Sequence, residues 1–312
     1  MTLAFVFPGQ GSQAVGMGKD LAEAYPVAKA VFEEVDDAID TPLSRIMFEG
    51  PMETLTLTEN TQPALMAVSV AVVRVLAEQG VEMSKAAFLA GHSLGEYSAL
   101  CAAGSLSLSD TAKLLKRRGQ AMQRAVPVGE GAMAALLGLG HEDASAVAQE
   151  AAQGDVCDFA NDNASGQAVV SGHKAAVERA VEIAKSKGAK RAMLLPVSAP
   201  FHCALMQPAA DEMEEALADV SFQAPVRPIV TNVTAQGESD PETLKSLLVQ
   251  QVCGAVRWRE SVGYLAAQGV TQQVELGAGK VLSGLAKRID RSIEASAIGT
   301  PADIDAFVAG QD

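Results

Sequence analysis

Gly91-His92-Ser93-Leu94-Gly95 sets one serine between two glycines, after the short apolar run Ala86–Ala90 and before an Ala-rich helical pattern. Strand, sharp turn and helix in that order are what a Gly-x-Ser-x-Gly nucleophile elbow requires. Small residues at 91 and 95 let strand and helix approach closely, and the turn pushes the Ser93 hydroxyl out at its tip. A helix starting near Leu94 aims its free N–H groups and positive dipole end at the place where an oxyanion would form. A glycine-rich turn with an ordinary capping serine has the same local composition, so the flanks carry the inference.

A serine hydroxyl is a weak nucleophile without an adjacent base. The chain has four histidines. His92 lies inside the elbow, and His141 and His173 fall at polar ends of predicted elements. Elimination leaves His202, on the proline-stiffened loop Pro196-Val-Ser-Ala-Pro-Phe-His202, as the candidate general base. The helix predicted after Ser109-Asp110 adds a second charge to explain. Leu114, Leu115, Ala121, Met122, Ala125 and Val126 form one apolar stripe, and Lys113, Arg117, Gln120 and Arg124 the opposite face. Arg118 falls within the apolar stripe. A buried guanidinium needs an anionic partner, either an internal carboxylate or a substrate carboxylate that its planar fork suits.

These residues need a scaffold. Leu3–Phe7 reads as a strand, followed by the loop Pro8-Gly9-Gln10-Gly11-Ser12-Gln13, which brings backbone N–H groups near a ligand. Gly18 to Ile39 is patterned as a helix, and a longer helix runs from Ala64 to Gln79. Residues 131–197 read differently: strand Ala132–Leu139, helix Glu142–Ala152, strands Val156–Ala160 and Gln167–Ser171, helix Lys174–Lys185, strand Arg191–Val197. That β-α-β-β-α-β order is the ferredoxin-like one. Helix Ala209–Leu217, strand Ile229–Asn232, helix Pro241–Val252 and strand Gln273–Leu276 follow. The expected fold class is α/β. Residues 1–128 and 198–312 build a main domain with a hydrolase-like parallel sheet, and 129–197 an inserted small subdomain, with the active-site gorge between them.

Composition narrows the class. The 312 residues are 48% apolar and 20% charged, ordinary for a globular enzyme. A net charge of −14 argues against nucleic acid and anionic membrane surfaces as partners. The longest apolar stretch, Ala64–Val73, ends at Arg74, and Leu3–Phe7 reads as a strand rather than a leader. Cys101, Cys157, Cys203 and Cys253 are scattered without paired spacing, so no metal site and no disulfide framework is expected, and a cytoplasmic setting fits.

Several segments together resemble the malonyl-CoA:acyl carrier protein transacylases of bacterial fatty acid synthesis. They are Phe7-Pro-Gly-Gln10-Gly-Ser-Gln13, Gly91-His-Ser93-Leu-Gly-Glu96, Gly166-Gln-Ala-Val-Val-Ser-Gly172, Ser198-Ala-Pro-Phe-His202, Gln251 with Val256-Arg-Trp258, and Glu275-Leu-Gly-Ala-Gly-Lys280. The set follows the family's order and spans nearly the whole chain. The resemblance implies Ser93 as the malonylated nucleophile and His202 as its base, in a dyad whose imidazole is held by the Gln251 main-chain carbonyl. It implies an oxyanion hole from the N–H groups of Leu94 and Gln10, and a malonyl carboxylate on Arg118. Pro200-Phe201 resembles the malonyl-type loop, and Asn161 and Asn163 resemble pocket-lining residues. Malonyl-CoA and acyl carrier protein are the implied partners, no cofactor is implied, and a monomer is expected. Ala278 and Gly254-Ala255 depart from the family's usual proline and Asn-Pro, both in loops. A serine esterase or thioesterase, and a non-catalytic carrier-binding scaffold, are the rival readings.

Overall fold

The computed structural model describes residues 2–310. Among these described residues ten strands form two sheets. The first sheet contains β1 (Leu3–Phe7) and β2 (Phe88–Gly91), and the second β3 (Gly131–Leu137), β4 (Cys157–Ala164), β5 (Gln167–His173) and β6 (Arg191–Leu194). The chain then returns to the first sheet with β7 (Ile229–Val230), β8 (Gly237–Glu238), β9 (Gln272–Leu276) and β10 (Glu294–Ile298).

The first sheet runs β10-β9-β1-β2-β7-β8, parallel except for the antiparallel β7–β8 pair. β1 lies at its centre, Ala4 beside Phe88 on one side and Gln273 on the other. Helices on both faces explain why β1 is apolar without alternation: Phe5 and Phe7 join one core cluster, Ala4 and Val6 another. The second sheet is antiparallel, ordered β4-β5-β3-β6, with helices His141–Ala152 and Lys174–Ser186 packed on one face. Its strands alternate. Ala134 and Val170 point into that small core, whereas Met133 and Val169 point the other way, into the core packed on the first sheet.

Three local expectations give way. The pattern from Gly18 to Ile39 is two helices, Lys19–Ala24 and Pro26–Ile39, because Pro26 drives Tyr25 out of the helical region to φ −130°. The long helix begins at Thr58 rather than Ala64 and carries Pro63 within it. Its extra turn is pinned from outside, by Asn60 donating to Thr54 O at 2.9 Å and Thr61 donating to Leu55 O at 2.5 Å. This helix, Thr58–Glu78, is long and apolar enough to cross a bilayer, but it is buried on nearly all sides as a core element. The helix carrying Arg118 spans Leu108–Ala125, and its cap is Ser107, whose hydroxyl accepts the Asp110 N–H at 3.0 Å.

A backbone seam ties the two sheets. Val256, just before helix Trp258–Ala267, bonds the β4 backbone twice: its N–H to Ala160 O and its carbonyl from Asp162 N–H, each at 2.9 Å. Arg259 on that helix grips the nearly buried Asp162 carboxylate with both Nε and Nη2, at 2.8–3.0 Å.

Candidate active site

Ser93 sits at the end of β2, before helix Gly95–Ala102, with φ +54°. That left-handed conformation is costly for a residue with a Cβ. It survives because the turn is packed backbone on backbone. A Cβ at Gly91 would lie 1.9 Å from Gly95 C, and one at Gly95 only 2.2 Å from Phe7 O. The Asn232 side chain completes the brace, accepting Ser93 N–H at 2.7 Å and donating to Gly91 O at 2.6 Å. His202 also has a positive φ, +59°. Both members of the expected pair are thus held in conformations that the surrounding structure must enforce.

His202 Nε2 lies 2.8 Å from Ser93 Oγ. Its Nδ1 faces two carbonyls, Gln251 O at 3.0 Å and Gly254 O at 3.1 Å. Carbonyls only accept, so Nδ1 carries the proton and Nε2 presents its lone pair to the Ser93 hydroxyl. Among the described residues no carboxylate backs the imidazole; two main-chain oxygens hold it. Burial, and then the Arg118 charge, pull the His202 pKa down to about 3, so the ring is neutral at neutral pH.

Arg118 is 1% exposed. It donates from Nη1 to Gln62 Oε1 and from Nη2 to Gln251 Oε1, both at 2.8 Å, and from Nη2 to Ser93 Oγ at 3.3 Å. These partners are neutral, no carboxylate pairs with it among the described residues, and its Nε has no acceptor. The internal salt bridge that helical phasing left open is therefore absent among the described residues. Arg117, one position on, faces outward to Glu212 at 3.1 Å.

The pair and Arg118 open onto a cavity of about 440 Å³ whose walls include Gln10, Leu94, Asn161, Asn163, Val197 and Phe201. Met133 and Val169 of the second sheet roof it. Among the described residues the main-chain N–H groups of Gln10 and Leu94 donate to no protein acceptor. Asn163 Oδ1 lies 2.8 Å from His92 Nε2, which ties β4 to the residue before the nucleophile. A larger hollow of about 760 Å³ lies beyond the loop that follows β1 and contains neither Ser93 nor His202.

The structure also gathers residues that spacing did not flag: Gln62, Glu96, Asn232 and the side chain of Gln251. Glu96 was the most findable of these, a lone carboxylate in an otherwise small and apolar helix. The others are single amides in loops and helix ends, where no periodicity marks them.

Residues 4–296 match the family described as the acyl transferase domain. The chain is 49% identical over 298 residues to the malonyl CoA-acyl carrier protein transacylase of Escherichia coli strain K12, covering 96% of both. The solved acyl-carrier-protein-S-malonyltransferase of Bartonella henselae superposes with a TM-score of 0.97 at 57% identity, with 99% of each chain covered. A malonyl-transacylase in complex with a type II PKS acyl-carrier protein superposes with a TM-score of 0.96 at 44% identity, covering 99% of this chain and all of that one. A braced serine, a histidine backed by carbonyls and an arginine with no carboxylate in contact among the described residues thus sit on the fold of these enzymes, and the chain belongs to the acyl transferase family, among its malonyl CoA-acyl carrier protein transacylases.

Proposed function

We propose that this chain moves a malonyl group from malonyl-CoA to the phosphopantetheine thiol of acyl carrier protein through a malonyl ester on Ser93, supplying fatty acid elongation. The observation that carries this reading is Arg118: buried, without a carboxylate partner among the described residues, and 3.3 Å from Ser93 Oγ. A substrate carboxylate two bonds from the reacting carbonyl supplies the missing counter-charge. Its binding also removes the second cause of the depressed His202 pKa, so the base strengthens when the correct acyl group arrives.

In the first half-reaction Ser93 Oγ bonds to the thioester carbon while His202 Nε2 takes the hydroxyl proton. The carbonyl oxygen becomes an oxyanion facing the Leu94 and Gln10 N–H groups. Collapse breaks the C–S bond, and the proton on Nε2 leaves with the CoA sulfur. In the second half the carrier thiol gives its proton to Nε2 and attacks the ester, and Ser93 regains its hydrogen. A thioester is consumed and a thioester formed, with no net oxidation, so the two substrates and these side chains balance the chemistry without a cofactor. Four free cysteines fit reduced thiols in a cytoplasm.

Intact-mass analysis after mixing with malonyl-CoA tests the reading. A malonyl adduct on Ser93, absent from Ser93→Ala and discharged by carrier protein, is expected. Equally fast loss of the adduct to water without carrier would make the protein an esterase, and no adduct at all would leave only a binding scaffold.

A further inference from the structure

We propose that Glu96 sets acyl-group specificity as a positioning residue, by fixing which end of the Gln251 amide faces Arg118; this rests on the malonyl-transfer reading above. A primary amide has a donating end and an accepting end that the side-chain torsion can exchange. In Gln251 the NH2 group donates to Glu96 Oε2 at 2.8 Å and to Ser93 O at 3.0 Å. Both partners only accept at those contacts. The oxygen is thereby turned to Arg118 Nη2, 2.8 Å away. Exchanging the ends would set NH2 against the guanidinium and oxygen against two acceptors, three mismatches at a site with no water access (Gln251 is 0% and Glu96 1% exposed).

Glu96 suits this task because it lies in the first turn of helix Gly95–Ala102, which starts directly after the Ser93 turn. The chain of contacts Ser93, Glu96, Gln251 and Arg118 therefore measures the guanidinium position from the nucleophile itself. The main-chain carbonyl of the same Gln251 accepts His202 Nδ1–H, so one residue registers base and specificity group together. Burial lifts the Glu96 carboxyl to about 7, and its Oε1 has no partner among the described residues. Oε2 also accepts the Asn232 N–H at 3.0 Å. A glutamine at 96 would turn its oxygen to that N–H and so keep an acceptor for Gln251. A leucine would not.

The test measures kcat/KM for malonyl-CoA and acetyl-CoA in wild type, Glu96→Leu, Glu96→Gln and Gln251→Met, with circular dichroism reporting folding. Glu96→Leu is expected to lower the malonyl/acetyl ratio by about tenfold or more, the worth of one hydrogen bond to a charged group, through a raised malonyl-CoA KM. Acetyl-CoA should stay within about threefold of wild type, and Glu96→Gln should restore most of the ratio. Gln251→Met keeps the carbonyl for His202 and should reproduce the loss; it decides the matter if Glu96→Leu does not fold. Equal loss for both donors in folded Glu96→Leu, a defect in Glu96→Gln as large as in Glu96→Leu, or an unchanged ratio in Gln251→Met would each overturn the proposal. Failure of the parent reading looks different: wild type itself would form no malonyl-Ser93, and Arg118→Ala would leave the ratio unchanged.

Discussion

Arg118 stands in the core with neutral acceptors on Nη1 and Nη2 and nothing on Nε. On the proposed reading it would stay unpaired opposite acetyl, and that uncompensated buried charge would reject the wrong donor. Removing one partner of such a pair costs roughly 3–5 kcal/mol. Arg118→Ala should therefore lose about two to three and a half orders of magnitude in malonyl transfer, at about 1.4 kcal/mol per tenfold. Acetyl-CoA should become the relatively better donor, while Arg117→Ala, paired outside to Glu212, keeps the selectivity. Kinetics with both donors decide. Glu96 carries a second prediction. Unfolded, its carboxyl ionises near 4.5; folded, burial holds the proton to about 7. Its stabilising contribution is thus fully present below 4.5 and is lost as pH rises through 7, on the order of 3 kcal/mol. His202 has the opposite sign: its contribution is present above 6.5 and drains as pH falls toward 3. Relative to wild type, Glu96→Gln should raise Tm at pH 8 more than at pH 5, by roughly 5 °C, and an unaltered difference would refute the assigned direction. Arg118 was legible because a charge out of phase with its own helix is a periodic signal. Glu96, Gln62 and Asn232 matter through contacts between distant segments, which no spacing encodes.

At the level of elements, the elbow rests on β1 as much as on its own turn. Helix Gly95–Ala102 starts against the Phe7 carbonyl, leaving 2.2 Å where a Cβ at Gly95 would be. The contact is with backbone, which cannot swing aside as a side chain can. Gly95→Ala should destabilise by about 3 kcal/mol or more, the upper end for overpacking, and displace Ser93 from His202. Thermal melts paired with malonylation yield measure both, and a stable, fully acylating variant would show that the sheet yields. The elbow, the helix carrying Arg118 and the strand–helix order of residues 131–194 were readable because each depends on a local repeat or a marked turn. The start of helix Thr58–Glu78 was not. Pro63 looked like its boundary, yet the turn before it is held by hydrogen bonds to Thr54 and Leu55, outside the helix.

Across the whole molecule, the net charge of −14 means that docking of a carrier protein that is acidic, as the family resemblance implies, would fall to local basic surface. Much of that surface is neutralised internally. Arg117 and Arg124 share Glu212, Lys116 meets Glu59, Lys185 meets Glu182 and Lys187 meets Glu150. Lys190 and Arg191, exposed at the start of β6, make no ion pair among the described residues, and β6 leads straight into the loop that walls the cavity. Charge reversal at 190 and 191 should slow transfer to carrier by about tenfold while sparing malonylation by malonyl-CoA, with the defect weakening in high salt as screening grows. Stopped-flow transfer at two ionic strengths checks it, and an equal defect in both half-reactions would place docking elsewhere. The central position of β1 also bears on how the protein is made. One neighbour of Leu3 is Gln272, from the far end of the chain, and β10 pairs in turn with β9. A ribosome must release almost the entire polypeptide before that edge of β1 is covered, and an open strand edge invites pairing with other chains. The second sheet, by contrast, closes within residues 131–194. Synthesis should therefore yield a folded middle long before a finished frame, and chaperone occupancy should concentrate on the waiting N-terminal third.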